Sequence, residues 1–261
     1  MAVTPTVFFV ALECEARPLI DLWKLKKTDQ IGVIKIFSKD LITIVICGVG
    51  SKNMLIAAGY FMGKNPTFFG HFINFGIAGH ASLPLGTLCS VYQVKADQNL
   101  ITYHLNPAIN FPSKMACLSF SSAQHAYQEN YLHDMEAFSF VEALSTFHPI
   151  DCLHVFKVVS DGPSHPQENL SAKKVIDLIE PIKKEVAKLI AMLPPISNSQ
   201  VHELLKKFSE KVTLSESEQI IAKKYLEKAS ALNIPVLIDS LNTLAELKNF
   251  VELAIDRRFS L

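Results

Sequence analysis

Residues 7–12 (Val7, Phe8, Phe9, Val10, Ala11, Leu12) form an unbroken apolar run. A strand made of them needs cover on both faces, as strands of a largely parallel sheet have. A second such run occupies residues 153–159, with Lys157 as its only charge. Between the two lie further strand-like runs and segments of helical periodicity. Residues 32–37 and 41–47 are rich in β-branched residues and read as a hairpin around Ser38, Lys39 and Asp40. Residues 51–63 read as a helix after Gly48-Val49-Gly50, and residues 72–75 as a short strand ended by the glycine-punctuated Gly76-Ile77-Ala78-Gly79. Strands at 88–95 and 114–120 and helices at 16–26 and 136–147 complete the pattern. Such alternation predicts a layered α/β fold with a mixed central sheet between helices.

Past Ser171 the character changes. Lysine and glutamate become frequent, glycine vanishes, and Pro194-Pro195 marks a break. Ser215-Glu216-Ser217-Glu218 is a capping-box pattern opening a helix. We therefore expect one α/β domain over residues 1–195. Residues 196–261 should form a helical extension, packed on the core or on a partner subunit. In it Val201, Leu204, Leu205, Phe208, Ile220, Ile221 and Leu226 recur at helical spacing and should bury an apolar stripe.

Composition narrows the function. With 25 basic against 25 acidic residues, the chain lacks the basic excess that nucleic acid or an anionic membrane surface would require. The expected ligand is a small molecule. Five scattered cysteines without a C-x-x-C pair, no signal-peptide pattern and no membrane-spanning run point to the cytoplasm. The nine histidines show no metal-ligand spacing, so neither a metal nor a cofactor is expected.

Acidic residues gather after the apolar runs: Glu13 and Glu15 after the first, Asp134 and Glu136 at a helix entry, Asp161 after the run at 153–159. Each alone reads as a helix cap or surface charge. Together they suggest a site, because ligands of open α/β sheets bind beyond the carboxyl ends of the strands.

Those same residues carry a resemblance. Ala11-Leu12-Glu13-Cys14-Glu15, Gly48-Val49-Gly50-Ser51-Lys52-Asn53, Ile73-Asn74-Phe75-Gly76-Ile77-Ala78-Gly79, Asp134-Met135-Glu136-Ala137 and Val158-Val159-Ser160-Asp161 occur in the order and near the spacing of motifs in the purine nucleoside phosphorylase/nucleosidase superfamily. The chain resembles its 5'-methylthioadenosine/S-adenosylhomocysteine nucleosidases. It is also similar to the nucleosidases or phosphorylases associated with hopanoid synthesis or spore photoproduct lyase. The resemblance implies a three-layer nucleoside phosphorylase-like fold and a homo-oligomer, a dimer by default. It also implies cleavage of a purine nucleoside, with water or phosphate as acceptor. Asp161 would act on purine N7, Glu15 would orient the water, and Glu136 would hold the ribose hydroxyls with Met135 against the sugar. Ile77, Ala78, Gly79 and Ser160 would line the pocket, with Phe120 or Tyr127 stacking on the base.

The sequence departs from the family at Lys157, where arginine is usual, and at Ile77, where serine is common. The segment between Phe120 and Met135 is also short. Two rival classes follow. One is a protein that binds nucleosides or serves as a scaffold without turnover. The other is an oxidoreductase using Gly48-Val49-Gly50 as a dinucleotide loop, against which Asn53 stands where a third glycine belongs. Within the enzyme class, phosphorolysis is the alternative to hydrolysis.

Overall fold

The structure is a computed structural model that describes residues 4–66, 68–105, 111, 113–123, 126–167, 170–194, 198–231, 234 and 236–259. It divides into two compact units, one of residues 1–146 and 150–195, the other of residues 147–149 and 196–261.

In the first unit β1 (Thr6–Val10) leads into α1 (Glu13–Trp23), followed by β2 (Lys26–Ile31), β3 (Ile34–Lys39), β4 (Ile42–Ile46), α2 (Ser51–Lys64) and β5 (His71–Gly79). Then come β6 (Leu88–Ala96), β7 (Thr102–His104), β8 (Lys114–Ser119), β9 (Tyr131–Asp134), α3 (Ala137–Leu144), β10 (Leu153–Asp161), α4 (Ala172–Ile179) and α5 (Lys183–Met192). All the strands join one mixed sheet. β1 lies between β4 and β5, parallel to both, and β5 continues in parallel to β10. β10 pairs antiparallel with β6, β6 in parallel with β8, and β8 in parallel with β9. The last residue of β5, Gly79, pairs with His133 of β9, which curls this half of the sheet back on itself.

Side-chain alternation along β1 explains the three layers. Val7 and Phe9 enter one core with Met54, Phe61 and Phe140 of α2 and α3. Phe8 and Val10 enter the other with Leu19, Val175 and Leu189 of α1, α4 and α5. Burying one such side chain fully contributes about 1.5–3 kcal/mol, so a strand with none facing water is held firmly at mid-sheet.

Two expectations need correction. The helix read over 16–26 stops at Trp23, because Lys24 turns left-handed (φ 52°) and the chain enters β2. β2 is a polar, mostly exposed edge strand, so it has no apolar period by which to be recognised. The short strand read at 72–75 runs on to Gly79, because Gly76, Ile77 and Ala78 all pair with β10.

The second unit holds α6 (Asn198–Lys211), α7 (Glu216–Ala231) and α8 (Leu244–Phe259) around Val201, Phe208, Leu226, Leu247 and Val251. Ser215 caps α7 reciprocally, its backbone N–H donating to Glu218 at 2.9 Å. Leu204 and Leu205 pack at the edge of this core, but Ile220 is 55% exposed. The buried face of α7 runs through Ala222, Leu226 and Ala229, so small alanines take the positions assigned to isoleucine. None of the described helices is long and apolar enough to cross a membrane.

Candidate active site

The ends of β1, β5, β9 and β10 open onto one cavity. Leu12, Glu15, Ile77, Ala78, Gly79, Phe120, Asp134, Met135, Glu136 and Asp161 all line it. Residues from four chain segments thus meet there. Ser160 does not face this cavity; it is buried behind Asp161, to whose Oδ1 its hydroxyl donates.

Glu15 lies in the first turn of α1, on the polypeptide that leaves β1. Its Oε2 accepts from the backbone N–H of Leu12 at 2.7 Å, as the carboxylate of a capping box does. Its Oε1 accepts from the backbone N–H of Ile77 at 2.8 Å. The second contact exists because residue 76 is glycine, where a Cβ would stand 2.8 Å from Oε1. Ile77 therefore serves Glu15 through its backbone, and the missing serine hydroxyl does not touch that bond. Burial pushes the Glu15 carboxyl up, with the two N–H donors opposing.

Glu136 stands at the N-terminus of α3 and reaches across to the loop before α2, where it accepts from the backbone N–H of Gly50 at 2.5 Å. Ser51 donates to the Met135 carbonyl at 3.2 Å, so two hydrogen bonds join these loops. Burial lifts the Glu136 carboxyl to about 7, against the pull of the Lys157 charge.

Asp134 occupies the last position of β9 and is not free to act on a ligand. Its Oδ2 pairs with Lys157 Nζ at 2.7 Å and accepts from the backbone N–H of Ala137 at 2.8 Å. Its Oδ1 accepts from the Ser119 hydroxyl at 2.5 Å. Burial alone would raise this carboxyl, but the Lys157 charge and these donors hold it below its ordinary value. Lys157, on β10, is raised in turn; burial opposes, and the charges of Asp134 and Glu136 win. The one cation of the apolar strand is thus the counter-charge of the acidic cluster.

Asp161 ends β10. Its Oδ2 accepts from the Tyr127 hydroxyl at 2.6 Å. The ring of Tyr127 lies stacked on His133, 5.5 Å between centroids and 28° between planes, and Phe120 packs on His133 at 4.9 Å. Gly79 makes room, since a Cβ there would fall 2.3 Å from Tyr127 Cε1. His133 accepts at Nε2 from the backbone N–H of Gln128 at 3.2 Å, which places its proton on Nδ1. Buried Nδ1 has no hydrogen-bond partner among the described residues. No spacing along the sequence marks His133, and nothing in it links Lys157 to Asp134. The aromatic cluster was legible only as Phe120 or Tyr127. Among the described residues no group of three or more histidines, cysteines or carboxylates is arranged to hold a metal.

A raised Glu136 has a consequence for stability. Its carboxyl binds a proton more tightly in the folded chain than in the unfolded one, whose ordinary value is 4.5. Stability should therefore fall as pH rises from that value to about 7, and stay reduced above it. Glu136→Gln keeps an acceptor for the Gly50 N–H and removes the charge. It should match the wild type at the acid end and exceed it by about 2–3 kcal/mol in mild alkali. Denaturant melts of both proteins across this range test the point; a difference that does not change with pH would contradict it.

A scan with models of protein families finds no match, and a search of curated proteins finds none. Solved structures do match. A 5'-methylthioadenosine/S-adenosylhomocysteine nucleosidase from Helicobacter pylori is similar to 74% of this chain over 100% of its own, with a TM-score of 0.61 and 11% identity. Futalosine hydrolase of Helicobacter pylori matches 73% of this chain and 97% of its own, with a TM-score of 0.58 and 13% identity. The MTAN of Chlamydia trachomatis matches 69% of this chain and 97% of its own, with a TM-score of 0.52 and 19% identity. At such identities the likeness establishes the fold.

Proposed function

For a chain with the nucleoside phosphorylase-like fold of these nucleosidases, we propose that the protein is an enzyme that hydrolyses the N-glycosidic bond of a purine nucleoside. The observation that carries this reading is the convergence of Glu15, Glu136 and Asp161 on one cavity from three strand ends.

The chemistry needs three things. The departing base must be protonated or hydrogen-bonded, a nucleophile must be oriented, and the ribosyl group must be gripped as it gains oxocarbenium character. Asp161 serves the base. Glu15, held rigidly by two backbone N–H groups, orients a water on the opposite side of the sugar. Glu136 accepts from the ribose hydroxyls, and Met135 packs against the ring. Phe120 belongs to the aromatic wall on the base side.

Hydrolysis is favoured over phosphorolysis by charge. Four carboxyl-bearing residues line the cavity, and no lysine or arginine is among the described lining residues. Lys157, which would be the nearest cation by sequence, is spent on Asp134. A phosphate dianion entering here would meet like charge without a compensating fork of donors. The substrate proposed is a 5'-substituted adenosine such as 5'-methylthioadenosine or S-adenosylhomocysteine. The test is incubation with a panel of these, futalosine, adenosine and inosine, with and without phosphate. Free base and free ribosyl product without any need for phosphate are expected. Ribose 1-phosphate would establish phosphorolysis, and tight binding without turnover of any member would make the protein a nucleoside-binding module.

A further inference from the structure

Both oxygens of Asp161 are engaged by hydroxyl donors, Ser160 at Oδ1 and Tyr127 at Oδ2. Ser160 is buried behind the acid, whereas Tyr127 stands on the cavity side. A base served by Asp161 has to approach from where Tyr127 now is. The Tyr127 ring also has the shape and setting of a bound base. It is a flat aromatic ring stacked on His133, close over Gly79, with a polar edge pointed at the acid.

Space and hydrogen bonding agree. The cavity volume is about 100 Å³, whereas sites that enclose small organic ligands measure about 300–1,000 Å³. A purine nucleoside does not fit until something moves. The neighbours of Tyr127 are pinned: His80 bonds the Glu129 carbonyl at 3.0 Å, Ser82 bonds the Glu129 carboxylate at 2.7 Å, and Gln128 bonds His133. The side chain of Tyr127 is half-buried and so has a route to solvent. The arrangement also leaves His133 Nδ1–H buried without an acceptor among the described residues, so it is not the best-satisfied state of this wall.

We propose that Tyr127 is a built-in occupant of the purine position, competing with the nucleoside base for Oδ2 of Asp161 and displaced when the base binds. This rests on the nucleosidase reading above and adds a specificity element to it: only bases that offer Asp161 a better partner than a phenol gain entry. The role is positional, and it predicts the opposite sign from a supporting contact.

Titration calorimetry of adenine into the wild-type protein and into Tyr127→Phe decides between them. The phenylalanine keeps the ring and loses the hydroxyl that holds Asp161. Removing a competing hydrogen bond to a carboxylate should lower the dissociation constant about tenfold. Tyr127→Leu allows the same comparison if the phenylalanine variant fails to fold, and a gain at least as large is expected from it. Equal or weaker binding by the variants would overturn the proposal and leave the nucleosidase reading standing. Failure of adenine to bind any of the proteins would remove the base from this site, and both readings with it.

Discussion

Asp161→Asn should abolish most turnover of a purine nucleoside, by roughly 10²- to 10⁴-fold, while leaving base binding measurable. Asparagine has nearly the same shape and still presents one oxygen and one donor. It can keep a hydrogen bond with Ser160 or Tyr127, whose hydroxyls rotate to suit. What it cannot do is hand a proton to a departing base. The parallel substitution Glu15→Gln is a poorer test than the sequence suggests. Both oxygens of Glu15 accept backbone N–H groups, from Leu12 and from Ile77. An amide would turn its NH₂ against one of them, so lost activity would mix chemistry with damage to the start of α1. Among the described residues no backbone N–H donates to the Asp161 carboxylate, so the substitution isolates the chemical step. Single-turnover assays with pre-bound nucleoside read it directly. Release of base at the wild-type rate would place the acid elsewhere.

How far the sequence led depends on what kind of pattern each feature leaves. β1 and β10 were plain because each is buried on both faces, and such strands write an unbroken apolar run. The acids that follow those runs were equally visible, and strand order alone places them at one edge of a sheet. β2, β7 and β9 left no such mark. β2 is polar and exposed, and β7 and β9 are three and four residues long. Missing β9 concealed what matters most about Asp134. Only the pairing of β9 with β8, and of β10 with β5 and β6, brings Asp134 to Lys157 and turns an apparent site acid into a buried ion pair. The glycines at 76 and 79 read as a break in a strand. They lie within β5, and their bareness lets Glu15 and Tyr127 approach the backbone. A pattern along the chain records burial well; it does not record which residue a long side chain will reach.

Lys157→Met should lower the stability of the fold by about 3–5 kcal/mol at neutral pH. Lys157 is 1% exposed and lies within a strand whose other residues are also buried, so the methionine finds an apolar setting and comparable space. Packing is thus largely preserved and charge is what is lost. Asp134 would keep its donors from Ser119, Ala137 and Glu136 but would have no cation in a site closed to water. Glu136, already raised by burial, would lose the Lys157 charge that opposes the shift. The sign of the pH response distinguishes this from a packing defect. In the wild type the depressed Asp134 carboxyl contributes stability that is present above its ordinary value of 3.8 and is lost only as pH falls through its still lower folded value. Without Lys157 that carboxyl is destabilised when charged, so the variant recovers as acid protonates it. The gap between wild type and variant should therefore be widest at neutral pH and narrow in mild acid, read from denaturant midpoints at the two conditions. A gap below about 1 kcal/mol, or one of constant size, would mean that Lys157 is held by its packing and that the ion pair is incidental.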